Sequence, residues 1–192
     1  MITQKEFEEK VNKFKELEDI RGNIEKGFLK LIEEKMDFEA YIFIYSTWNY
    51  ANFRYVLTKL KYEEFEKVIK EINPIFDKLK EEKFETVDFD YLRESISFIY
   101  DRLKKLVGQT CATKIMYFKN QNLFIMWDTK IRKLYGFKKT DAENYLNFLK
   151  LMKKEFSHIQ WENKEISFAR AIDKYNFTIT QEKVRIKNED QE

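Results

Sequence analysis

The stretch Leu103-Lys-Lys-Leu-Val-Gly-Gln-Thr-Cys-Ala-Thr-Lys114 joins two runs of helix-forming residues through a single glycine, Gly108. Leu103 and Leu106 close one apolar stripe, Val107-Gly108 reads as a hairpin, and Gln109 or Thr110 opens the next helix. Glycine takes positive φ without a steric cost, so the chain can turn a corner between two helices there. Elsewhere the chain has only Gly22, Gly27, Gly136 and one proline, Pro74, in 192 residues. A sheet-rich protein of this length needs many tight turns, and those turns draw heavily on Gly and Pro. The expected fold is all-α, a compact multi-helix bundle. A single helical domain covers residues 1–192, with no internal repeat and no linker.

Caps and periodicity place the helices. Thr3 and Glu6 form a capping box before a helix running toward Glu18, with Phe7, Val11, Phe14 and Leu17 as its stripe. After Gly22, the residues Ile24, Phe28, Leu31 and Ile32 mark a second helix ending near Met36. Asp37 is the expected cap of a third, from Phe38 to about Leu60, apolar on most sides and therefore central to the core. Tyr62–Ile72 reads as a short helix stopped by Asn73-Pro74, with another over Pro74–Lys83. Asp88 or Asp90 starts the helix that carries Leu92, Ile96, Ile99, Leu103 and Leu106. Thr140 and Glu143 repeat the capping box before Tyr145, Leu149, Met152 and Phe156. Ile166–Tyr175 is the last expected helix. The polar, alternating tail from Phe177 reads as a short ribbon or a frayed end, flexible over 178–192.

Composition excludes several chemistries. One cysteine, Cys111, rules out an internal disulfide or a multi-cysteine metal site and fits a reducing cytosol. One histidine, His158, rules out His-rich zinc sites. Neither a metal nor a cofactor is expected. The opening Met1-Ile-Thr-Gln-Lys-Glu6 has no apolar h-region, and the longest apolar run, Ala40–Tyr45, is far too short for a membrane span. A cytoplasmic, membrane-free protein is the expectation.

The net charge of +2 conceals an asymmetry. Residues 101–139 hold ten basic side chains against only Asp101 and Asp128, a net of +8, which leaves −6 on the rest. Abundant lysine accounts for the bases but not for the scarcity of acids. A basic block within an otherwise acidic chain is the pattern of a polyanion-binding face.

That block contains a second distinctive phrase, Phe124-Ile-Met-Trp-Asp-Thr-Lys-Ile-Arg-Lys-Leu-Tyr-Gly136. Asp128 falls at an expected helix N-terminus, with Ile131 and Leu134 facing inward and Arg132 outward. Taken with the Gly108 corner, it resembles the helix-hairpin-helix DNA glycosylase superfamily, the endonuclease III-like fold. Val107-Gly108, Ala112 and Asp128-Thr129-x-Ile131-Arg132 match that family's hairpin and aspartate phrases in order, with a separation of 18 residues from Thr110 to Asp128. The resemblance covers about 35 of the 192 residues, and it implies a helix-hairpin-helix and catalytic segment over 90–136. It implies that Asp128 is the carboxylate that stabilises a sugar cation or activates a nucleophile. It places Thr110 where bifunctional members carry a Schiff-base lysine, so a mono-functional enzyme is implied. Two departures stand out: Lys105 and Leu106 replace the hairpin's Pro-Gly, and the bulky Trp127 precedes the aspartate. DNA is the implied partner, with RNA left open, and Lys104, Lys105, Gly108, Gln109, Lys114, Lys130, Arg132 and Lys133 are the expected nucleic-acid contacts.

The third helix offers a candidate base pocket. Trp48, Asn49 and Asn52, together with Trp127, combine stacking rings with edge-reading amides, as a flipped base requires. The bland reading of the aromatic stripe is core, and that of Asp128 is an ordinary helix N-cap. Two other functions remain open: a non-catalytic nucleic-acid-binding module, and a helical protein-interaction component that presents the acidic N-terminal half.

Overall fold

The computed structural model describes residues 2–15, 19–48, 53–54 and 58–189. Among these residues all regular structure is helical. The first four helices are α1 (Gln4–Lys15), α2 (Asp19–Glu33), α3 (Asp37–Trp48) and α4 (Tyr62–Leu79). Then come α5 (Arg93–Val107), α6 (Gln109–Lys119), α7 (Thr129–Leu134), α8 (Ala142–Glu155) and α9 (Phe168–Glu189). No described helix is long and apolar enough to cross a membrane.

The Gly108 corner forms as the sequence indicates. Gly108 has φ of 79°, ends α5 and starts α6, and the two helices pack closely on one another. α6 lies at the centre of the bundle. Cys111, Ala112, Thr113, Ile115, Met116, Tyr117 and Phe118 are all buried, against α2 and α3 on one side and α5 on the other. The following segment, Leu123 to Trp127, is non-helical yet buried. Buried backbone groups need partners. Here the Tyr145 hydroxyl donates to the Ile125 carbonyl at 2.9 Å, and the Trp127 N–H donates to the Thr113 hydroxyl at 3.3 Å.

Several boundaries differ from the sequence expectations. α4 runs straight through Asn73-Pro74. Proline in a helix interior costs about 3 kcal/mol through its missing N–H and its ring clash. That cost is offset by one continuous apolar face: Phe65, Val68, Ile69 and Ile72 before the proline, Phe76 and Leu79 after it, all buried. Asn73 does not cap; its side-chain amide donates to Asp37 Oδ2 at 3.3 Å. Asp37 in turn receives Lys119 Nζ at 2.6 Å, so its carboxylate ties α3 to α6. Leu60 lies beyond a turn at 58–59, outside helix.

α5 begins later than expected because Asp88 Oδ1 accepts the Asp90 and Tyr91 N–H groups in a turn of its own. The α8 cap is Asp141, which accepts the Asn144 N–H at 2.9 Å, while Glu143 pairs with Arg93 across to α5. The expected ribbon after Phe177 is helix: α9 continues to Glu189. The Thr178 and Thr180 hydroxyls bond back to the Lys174 and Phe177 carbonyls, which lets these β-formers sit in a helix. Packing on α1 holds α9 in place, through Phe177 on Phe14 with ring centroids 5.2 Å apart and Glu182 paired with Lys10 and Lys13.

Candidate functional site

Asp128 is the N-cap of α7. Its Oδ1 accepts the N–H of Lys130 at 2.7 Å and that of Ile131 at 2.8 Å. The bland reading of this residue is therefore correct, and it is not the whole of its environment. Asp128 also lines a cavity of about 250 Å³ with Lys114, Trp127, Ile131, Arg170 and Asp173. Pockets for drug-sized ligands run to about 300–1,000 Å³, so this one suits something smaller, such as a single heterocycle.

Three segments build the wall. α6 contributes Lys114. Thr113, its neighbour, accepts the Trp127 N–H and reaches the Trp127 carbonyl at 3.2 Å, which fixes the residue before Asp128 against α6. α7 contributes the capped aspartate and the buried Ile131. α9 contributes Arg170 and Asp173, each only 4 % exposed, and Phe177. Phe14 of α1 and Thr47 of α3 complete the rim.

A buried ionic network runs from this wall into the core. Arg170 Nη1 donates to Asp173 Oδ2 at 2.7 Å and Nη2 to Glu25 Oε2 at 2.9 Å. Glu25 Oε1 also accepts the Tyr117 hydroxyl at 2.9 Å and the Gln121 amide at 3.1 Å. The Arg170 guanidinium lies 5.4 Å from both the Phe14 and the Tyr117 ring centroids. Buried charge of this kind is costly unless each partner is satisfied, and here the pairing is shared across α2, α6 and α9. Burial is the main influence on Asp173 and pushes its carboxyl up to about 6, with Glu25 and Asp128 adding to the rise against the opposing pull of Arg170.

The expected site residues divide by position. Asp128, Lys114 and Trp127 come together at the cavity. Thr110 does not line it; this residue stands one turn earlier on α6, where its carbonyl lies 3.2 Å from the Thr113 hydroxyl. Trp127 is 2 % exposed and packs on Tyr100, Phe137, Tyr145 and Phe148, and its indole N–H lies near the Tyr100 hydroxyl without reaching hydrogen-bond geometry. Most of its ring is thus core. Asn49, Asn52 and the Trp48 side chain lie outside the described residues; the cavity meets α3 at Thr47, beside Trp48.

Lys105, Gly108, Lys130 and Lys133 are exposed, and Lys104 and Gln109 are half-buried. Lys104 and Lys139 both act on Asp141, so basic charge from two segments converges there. Two members of the basic block serve structure instead: Arg102 pairs with Glu71, and Lys119 with Asp37. Arg132 is half-buried and donates to the Lys138 carbonyl at 2.8 Å, so it braces the turn after α7 as well as carrying charge. Burial pushes the Cys111 thiol up to about 12, which leaves it unreactive at neutral pH. Among the described residues no cluster of His, Cys, Asp and Glu has the makings of a metal site.

Arg170 and Asp173 were not anticipated. Their signal was present in Phe168-Ala-Arg-Ala-Ile-Asp-Lys-Tyr175, where two charges three residues apart interrupt an apolar helix face. No protein-family model, curated protein or solved structure matches this chain.

Proposed function

We propose that this protein is a nucleic-acid-binding enzyme of the helix-hairpin-helix DNA glycosylase type, one that takes a base out of duplex DNA and cleaves its N-glycosidic bond. The observation that supports this reading most is the position of Asp128. It stands in the wall of a base-sized cavity, held to α6 five helical positions after the Gly108 corner, through Thr113 and Trp127. In this reading the exposed Lys105, Lys130 and Lys133 engage phosphates, and the Gly108 corner presents the first amides of α6 to the backbone. The base enters beside Phe14 and Phe177. Asp128 faces the sugar, where a carboxylate stabilises positive charge as the bond breaks.

Thr110 cannot form an imine, so base release proceeds without a covalent lyase step. Incubation of the protein with duplexes each bearing one altered base tests this: base release is expected, with no adduct trapped by borohydride. A trapped adduct that vanishes in Lys114→Met would replace the mono-functional chemistry with an amine mechanism. Duplex binding without release of any base would leave a non-catalytic nucleic-acid-binding module. Absence of both would favour a protein-interaction role.

A further inference from the structure

The cavity holds a second carboxyl group, in surroundings unlike those of Asp128. Asp128 is half-buried at a helix start and accepts two backbone N–H groups. Asp173 sits within α9, 4 % exposed, and accepts a hydrogen bond from the Arg170 guanidinium at 2.7 Å. Two carboxyl groups at one cavity in contrasting environments are the arrangement that divides acid from base work. We infer that Asp173 is the general acid that protonates the departing base, and that the substrates are therefore bases that leave only when protonated, uncharged heterocycles rather than cationic alkylated ones. This rests on the glycosylase reading and adds to it a second catalytic residue and a substrate class.

The C1′–N bond breaks with its electron pair going to the base nitrogen, which takes the Asp173 proton. Water adds to C1′ and gives a proton to Asp128. The products are a neutral base and an abasic sugar; Asp128 then loses its proton to solvent and Asp173 regains one.

Several charged groups face Asp173. Arg170, on its own helix, opposes protonation, and Glu25 of α2 and Asp128 before α7 favour it. Lys114 of α6 shares the cavity. The phenols of Tyr117 on α6 and Tyr145 on α8 are themselves influenced by Asp173 and stay neutral, because burial raises both. Burial outweighs the guanidinium and raises the carboxyl to about 6, so its protonated share grows as the pH falls toward that value.

The test compares single-turnover release from duplexes carrying hypoxanthine or 8-oxoguanine with release from duplexes carrying N7-methylguanine, which departs neutral without a proton. Asp173→Asn keeps the shape and an acceptor for Arg170. It should slow release of the uncharged bases by about 100-fold or more, with N7-methylguanine changed less than about 3-fold. With the native protein, release of uncharged bases should fall as the pH rises above about 6, while N7-methylguanine release stays flat. The native profile needs no variant, so it decides the matter even if Asp173→Asn misfolds. Uncharged bases released at a rate independent of both pH and Asp173, or release of N7-methylguanine alone, overturns the acid role and leaves Asp128 in place. Release of no base from any duplex overturns the glycosylase reading, and the role of Asp173 with it.

Discussion

The Thr113 hydroxyl accepts the backbone N–H of Trp127 at 3.3 Å and lies 3.2 Å from the carbonyl of the same residue. Thr113 precedes Lys114 and Trp127 precedes Asp128, so this contact sets the two charged cavity residues side by side. Valine has nearly the shape of threonine and no hydroxyl. Thr113→Val should therefore strand a buried N–H and cost about 1–3 kcal/mol in urea unfolding. Any base release should fall as well, because Asp128 loses its brace. A variant as stable as the native protein would show that the contact holds nothing in place.

Pro74 offers a gain in stability. Pro74→Ala restores an N–H to the interior of α4 and removes the ring clash, partly offset by a more flexible unfolded chain. An increase of about 1–2 kcal/mol is expected from denaturant unfolding. A loss would mean that α4 depends on a proline-specific bend.

Asp141 links stability to pH. The Asn144 side chain and backbone amide hold its carboxyl below the usual carboxylate range. A carboxyl depressed on folding contributes stability above its unfolded pKa, and that contribution fades as pH falls through the folded value. Asp141→Ala should cost about 1 kcal/mol at pH 7 through loss of the cap. The difference between variant and native protein should narrow on acidification below about pH 4. A gap that widens in acid would contradict this assignment.

DNA affinity should fall steeply with salt, because each phosphate neutralised releases condensed counterions. Lys130 and Lys133 are exposed, whereas Arg132 braces the turn after α7. Reversing only the two lysines therefore tests charge without disturbing the fold. Lys130→Glu with Lys133→Glu should weaken duplex binding on every sequence and flatten the salt slope by about 2. Unaltered affinity and slope would remove this helix from the interface.

Much of this arrangement was legible in the sequence, and the gaps have physical causes. Gly108 marked the corner because only a positive φ permits so abrupt a join, and Asp128 marked a helix start by its capping chemistry. Local signals failed where packing overrode them. Asn73-Pro74 has the local form of a stop, yet both flanks of α4 bury the same face. Phe177-Thr-Ile-Thr180 alternates like a strand, but a neighbour in α1 some 170 positions away makes it helix. The cavity was half legible. Asp128 and Lys114 belong to one stretch of sequence, whereas Arg170 and Asp173 reach the same wall only because α9 crosses α7.

In the proposed reaction Asp128 acts on a bound base as well as capping α7. Asparagine caps nearly as well as aspartate, so Asp128→Asn should unfold within about 0.5 kcal/mol of the native protein. The most direct measurement is single-turnover base release from the altered-base duplexes, native protein against Asp128→Asn, with duplex affinity recorded in parallel. The native protein should release base and the variant should not, with duplex affinity equal to or above native once a negative charge near the phosphates is gone. Equal release by both proteins, or a variant that fails to fold, would contradict it and leave Asp128 a structural cap.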